Sequence, residues 1–136
     1  MKLDEWQGSW KGTSELWEDP LGNVVQKSDC TIVVEDGVVS YTWSYQGKAH
    51  RGVLKLTEEG GSFEDSWHQA EPVACEPVSN PRSIATVQYS YMETWGWRIN
   101  LCHRDPTGEL VLQMTNIAPW GEEARAVRMV CKRSEP

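Results

Sequence analysis

The chain lacks most of the features that would assign it a function outright. A single Phe stands against eight Trp and four Tyr. Its 13 basic residues are outnumbered by 20 acidic ones and are scattered, with Lys132-Arg133 the only adjacent pair. A formal net charge of -7 excludes a protein that tracks a nucleic-acid backbone, which needs clustered Lys and Arg. No apolar run approaches the roughly 18 residues of a membrane-spanning helix, so no membrane partner is expected. The first residues, Met1 to Glu5, turn acidic at once and carry no apolar signal segment, which sets the expectation of a cytoplasmic protein. Four cysteines, Cys30, Cys75, Cys102 and Cys131, show no CxxC spacing and read as buried or idle thiols. His50, His68 and His103 form no HxH or HExxH pair, so no metal or other cofactor is expected.

No helical period is present either. What replaces it is alternation. Ser9 to Trp17 places Trp10, Ser14 and Leu16 on one side and Lys11, Thr13 and Glu15 on the other. Val38 to Tyr45 sets Val39, Tyr41, Trp43 and Tyr45 against Ser40, Thr42 and Ser44. Similar runs cover about Val24 to Glu35, Ala49 to Thr57, Gly61 to Gln69, Ser83 to Met92, Trp95 to Arg104, Glu109 to Ile117 and Ala124 to Lys132. Turn residues separate them: Glu18 to Asn23, Asp36-Gly37, Gln46-Gly47-Lys48, Asp105-Pro106-Thr107-Gly108 and Pro119 to Glu122. Residues 70–82 hold Pro72, Pro77 and Pro81 and read as one long loop, a candidate lid. About nine strands in a meander leave two bare edges unless the sheet closes. The expectation is one all-β domain over residues 1–136, an antiparallel barrel of eight to ten strands, with a two-sheet sandwich as the alternative.

Gly8-Ser9-Trp10 matches the Gly-x-Trp signature that opens lipocalin-like (calycin) barrels. More of the chain resembles the DUF1579-type family of uncharacterised bacterial proteins, through WKGTSELW (10–17), YTWSYQGKAHRGVL (41–54), DSWHQ (65–69), WGWRI (95–99) and MTNIAPWGEEARAV (114–127). The resemblance implies a small lipocalin-like barrel and brings no activity. In the superfamily the signature Trp packs on an Arg of the last strand, for which Arg125 and Arg128 are the candidates. Gly8 to Gly12 also resembles the start of nitrobindin-like haem barrels. Those hold haem through a His near the C-terminus, whereas this chain has none after His103 and offers Met129 and Cys131 instead, so haem is not expected.

The chemically richest stretch is Gly61 to Gln69. Strand alternation puts Phe63, Asp65 and Trp67 on one face and Glu64, Ser66 and His68 on the other, which separates Asp65 from His68 and argues against a catalytic triad. Arg98, opposite Trp95 and Trp97, would point into the barrel if those rings face outward, and would then need an anionic partner. The expected function is binding of a small amphipathic or aromatic, in one version anionic, molecule in an internal cavity, by a monomer or homodimer. The lining residues expected are Tyr41, Trp43, Trp67, His68, Tyr89, Arg98 and Met114, with no catalytic residue assigned. Two other readings stand beside it: an enzyme using His68 as general acid or base, and a filled barrel with no ligand.

Overall fold

The computed structural model describes residues 3–19, 23 and 25–134. The expected turn through Pro20, Leu21 and Gly22, and a strand start at Val24, lie outside the described residues. After a single 3-10 turn, Asp4–Trp6, ten strands follow one another: β1 (Gly8–Trp17), β2 (Val25–Glu35), β3 (Val38–Tyr45), β4 (Lys48–Thr57), β5 (Gly60–Asp65), β6 (Gln69–Pro77), β7 (Ala85–Tyr91), β8 (Trp95–Arg104), β9 (Glu109–Ile117) and β10 (Glu123–Arg133). Each pairs antiparallel with its sequence neighbours, and β1 pairs with β10, so the meander closes. This closed, all-β, ten-stranded barrel has the shape of the calycin-like fold. Closure removes both edges and settles the choice against a sandwich.

Alternation becomes inside and outside. Ile32 and Val34, Val39 and Tyr41, Leu54 and Leu56, Ile99 and Leu101, Leu110 and Leu112, and Met129 and Cys131 are all buried and all face inward. Asp36 and Gly37 both have positive φ, 51° and 79°, as a two-residue hairpin loop of matching twist requires.

The tenth strand is β6, inside the segment read as a loop. Pro72 and Pro77 obscured it, and the pairing explains why they are tolerated. Pro72 falls where the β5–β6 register shifts, between the Phe63–Val73 and Asp65–Gln69 pairs. On its other side β6 meets β7 only at Glu76–Gln88 and Pro77–Val87. Most of β6 therefore has no ladder on its β7 side, and an edge of that kind is where proline fits in a sheet. The true connection is the short stretch 78–84.

One barrel end is shut. Trp10 is 2% exposed, its Nε1 donates to Trp6 O at 2.9 Å, and the guanidinium of Arg133 lies 4.4 Å from its ring centre. Arg133 also donates to the carbonyls of Glu5 and Gln7 and so clamps the 3-10 turn over the end. The Trp–Arg contact implied by the calycin resemblance is present, but its arginine is neither Arg125 nor Arg128. Antiparallel closure sets the start of β1 beside the end of β10, pairing Trp10 with Arg133, and sends the other two arginines to the opposite end.

Candidate functional site

The opposite end collects the rings. It is formed by the ends of β1, β3, β5, β7 and β9 and the starts of the strands that follow them. The interior towards the shut end is filled: Phe63, Leu54, Ile99, Leu112, Met114 and Met129 are each at most 1% exposed. Above that floor lies a cleft of about 220 Å³, lined by Trp17, Glu18, Asp19, Trp67, His68, Tyr91, Trp97, Asn116, Ala124, Arg125 and Ala126. Ala124 and Ala126 leave room where larger side chains would fill it.

Asp65 organises the cleft wall. Its carboxylate accepts the Tyr41 hydroxyl from two strands away, over Gly52 on β4, a buried hydrogen bond. Its other oxygen accepts the backbone N–H of Trp67 at 2.7 Å and of His68 at 3.1 Å. This side-chain cap ends β5 at Asp65 and turns the chain. Alternation therefore fails at the next residues, which is the physical reason that Trp67 and His68 do not keep the faces expected of them. Trp67 lands on the rim, 38% exposed, with its ring edge-on to Trp43 at 5.5 Å. His68 swings inward and stacks on Trp97, ring centres 3.6 Å apart. Asp65 and His68 thus meet through the His68 backbone, not through the imidazole. Burial also pushes the Tyr41 phenol well above its ordinary pKa, with the Asp65 carboxylate adding to it.

The imidazole has its own partner. His68 Nδ1 lies 2.8 Å from the Tyr89 hydroxyl. This bond joins the β5–β6 turn to β7 where the β6–β7 ladder is missing, so a side-chain contact does the work of backbone pairing. Burial pushes His68 down from 6.5 to about 4, with the Asp65 charge opposing in part. The imidazole is neutral at pH 7, and Nε2 has no hydrogen-bond partner among the described residues. A group held below its unfolded value contributes stability that is full above pH 6.5 and is lost as the pH falls towards 4. Urea midpoints measured from pH 7 downward should therefore decline through this window, and His68→Gln should flatten the decline. Equal slopes in the two proteins would mean that His68 does not cause it.

The opposite wall is built on β10. A bulge between Arg125 and Val127 breaks the β9–β10 register. Beside it the Arg125 guanidinium lies 4.4 Å from the centre of the Trp17 ring, with Arg128 at 5.9 Å from the same ring. Tyr91 donates to the Asn116 side chain across the cleft floor. The indole N–H groups of Trp43 and Trp97 are buried without a hydrogen-bond partner among the described residues.

Of the expected lining residues, Trp67 and His68 border the cleft. Tyr41, Trp43 and Tyr89 support it from behind, and Met114 belongs to the filled core. Arg98 is elsewhere. Trp97 and Ile99 face inward, so Arg98 faces outward and pairs with Glu123 on the surface. Its place as the cationic member of the cleft falls to Arg125. Trp17, Tyr91, Trp97, Asn116 and Arg125 were missed; the antiparallel order already places the end of β1 beside the start of β10, but the bulge leaves no mark in the sequence. The three histidines take separate partners, Ser66, Tyr89 and Asp105, and no group of metal ligands forms among the described residues.

A larger hollow, about 620 Å³, lies across the outer faces of β2 to β5. Its sides are short hydroxyls and valines (Thr31, Val33, Ser40, Thr42, Val53) with Arg51 and Glu64, and beside Gly52 it reaches the expected lining residue Tyr41 and its partner Asp65; Tyr41 is its one ring, and it has none of the stacked rings of the cleft. Ligand sites join apolar surface to a few convergent polar groups in a concavity, and the smaller cleft meets that description better.

No protein-family model matches this chain, and no curated protein matches it.

Proposed function

We propose that the protein binds a compact, planar aromatic or amphipathic molecule in the cleft at the open barrel end. The observation that carries this reading is the convergence of Trp17, Trp67, Tyr91 and Trp97 with a neutral His68 around one cleft of about 220 Å³. Such rings supply flat apolar contact, each stacked pair contributing about 0.5–1.5 kcal/mol beyond area burial. Arg125 and Asn116 offer donors to an acceptor on the ligand edge, and an acceptor reaching the Trp97 indole would satisfy a donor otherwise left alone. Glu18 and Asp19 beside Arg125 favour a ligand with both donor and acceptor groups over a simple anion. Kinship with the DUF1579-type family is part of the same proposal and rests on the strings quoted above.

The enzymatic alternative has one observation in its favour: the second ring nitrogen of His68 is held by Tyr89, as an oriented general base requires. The value of about 4 weighs against it, since such an imidazole is a weak base at neutral pH. Binding is the better-supported function.

The test is titration with planar heteroaromatic compounds, read by tryptophan fluorescence and by the indole N–H resonances in NMR. Binding should move Trp97 and Trp67 signals. Trp97→Ala should weaken it by about tenfold or more, the loss of one hot-spot ring. Affinity unchanged in Trp97→Ala and His68→Ala, or no binding across the panel, would reject the site.

A further inference from the structure

Gly12 lies at the middle of β1, opposite Cys30 on β2 and Cys131 on β10. In a flat sheet, strands separated by a third lie about 9.5 Å apart. Disulfide-linked Cα atoms lie within about 7 Å, so cysteines in such positions would not bond. Here the sheet folds tightly. A methyl group on Gly12 would sit 1.8 Å from Val130 O and 2.7 Å from Cys131 Cα, and β2 and β10 come within 8 Å of each other across β1. With no side chain at Gly12, the space on the inner side is open to the two sulfurs, which stand 3.5 Å apart. Both residues are free thiols, 3% and 0% exposed. The next inward group on β1, the Ser14 hydroxyl, is buried and has no hydrogen-bond partner among the described residues.

We propose that Cys30 and Cys131 are a modification site, a buried dithiol that a small neutral peroxide converts into a disulfide tying β2 to β10 over Gly12. The thiolate of Cys131 attacks one peroxide oxygen; the S–O bond forms, the O–O bond breaks, and the leaving hydroxide takes a proton to become water. The Cys30 sulfur then attacks Cys131; the S–S bond forms, the S–O bond breaks, and a second water leaves. Two thiols and one hydrogen peroxide give one disulfide and two waters, the sulfurs losing two electrons and the peroxide gaining them. The hydrogen bond between the sulfurs, in which either can be the donor, favours a thiolate on one of the two, written here as Cys131, and the products are the same if Cys30 attacks first. Cys75 and Cys102 differ: burial pushes Cys75 up to about 11 and raises Cys102, and among the described residues neither contacts another sulfur. The bond would join positions 101 residues apart across the seam where the barrel closes, a span over which a cross-link strongly restricts the unfolded chain.

The experiment treats the folded, fully reduced protein with hydrogen peroxide, blocks the remaining thiols with an alkylating agent under denaturing, non-reducing conditions, and maps the peptides by mass. The proposal expects two of the four thiols to disappear, with one cross-linked peptide pair carrying Cys30 and Cys131 and with Cys75 and Cys102 alkylated. The urea midpoint of the oxidised protein should rise and return on reduction with dithiothreitol. Cys30→Ser and Cys131→Ser should each abolish the cross-link; if one of them does not fold, the other carries the control. Alkylation of all four thiols, higher sulfur oxides at Cys30 and Cys131, or pairing with Cys75 or Cys102 would overturn the proposal. So would a cross-link that forms only when the chain is first unfolded in urea.

Discussion

Asp65→Ala should lower the free energy of unfolding by about 3 kcal/mol, read as a large fall in the urea midpoint with little change in slope. One carboxylate, 3% exposed, holds three donors: the Tyr41 hydroxyl and the N–H groups of Trp67 and His68. Deleting it leaves the Tyr41 hydroxyl buried and alone, at a cost of about 1–3 kcal/mol for a stranded polar group. The turn loses a side-chain cap as well, worth about 1 kcal/mol if it resembles helix caps. Tyr41→Phe is the milder case, since it removes one donor and leaves the two backbone bonds, and should cost about 1–2 kcal/mol. The two changes share one contact, so the double variant should fall short of the sum. The function is expected to fail with the stability: without the cap, His68 keeps only its Tyr89 bond and ring contacts and Trp67 only its ring contacts, and ligand signals in the cleft should weaken even where the protein is still folded. An Asp65→Ala protein within about 0.5 kcal/mol of the parent, the range of an ordinary surface change, would show that the turn is held by something else.

Gly12→Ala should be among the most damaging single methyls in the chain, costing about 4 kcal/mol or more, and should lower the yield of soluble protein sharply. The new carbon would meet Val130 O at 1.8 Å, and that atom is backbone in the closing ladder, so no rotamer change relieves the overlap. Gly52→Ala sets a contrast. There the methyl would meet the Tyr41 ring at 2.2 Å, a side chain that could move only by giving up its bond to Asp65. An intermediate loss is expected, largely cancelled in a Tyr41→Ala background. Gly47→Ala meets nothing within 4 Å and pays only for its φ of 77°, about 1 kcal/mol. Urea denaturation of the three variants should rank them in that order. Were Gly12→Ala as mild as Gly47→Ala, the tight fold at β1 that brings Cys30 to Cys131 would be wrong too.

These residues also mark how far the sequence could be read. The Val39, Tyr41 and Trp43 face, the Asp36-Gly37 hairpin and the run of short turns state locally that the chain is a β-meander, and they assign inside and outside correctly for the core. Alternation is a property of each strand alone, which is why it is legible. β6 was hidden because proline argues against a strand until its neighbours are known to demand few of its N–H groups. Arg98 was placed inside because its own strand does not say which face closes on the core. His68 left its expected face because Asp65 stopped the strand, and Arg125 reached the cleft beside a bulge in β10. The contact between Cys30 and Cys131 depends on a glycine in a strand belonging to neither. By itself the sequence determined strand count to within one, hairpin order and the buried face of most strands, all set by local sterics and hydrophobic period. Only the tertiary structure decided which end is shut, which arginine meets which tryptophan, and where the cleft lies, because those depend on closure, register and side-chain caps joining residues far apart in the chain.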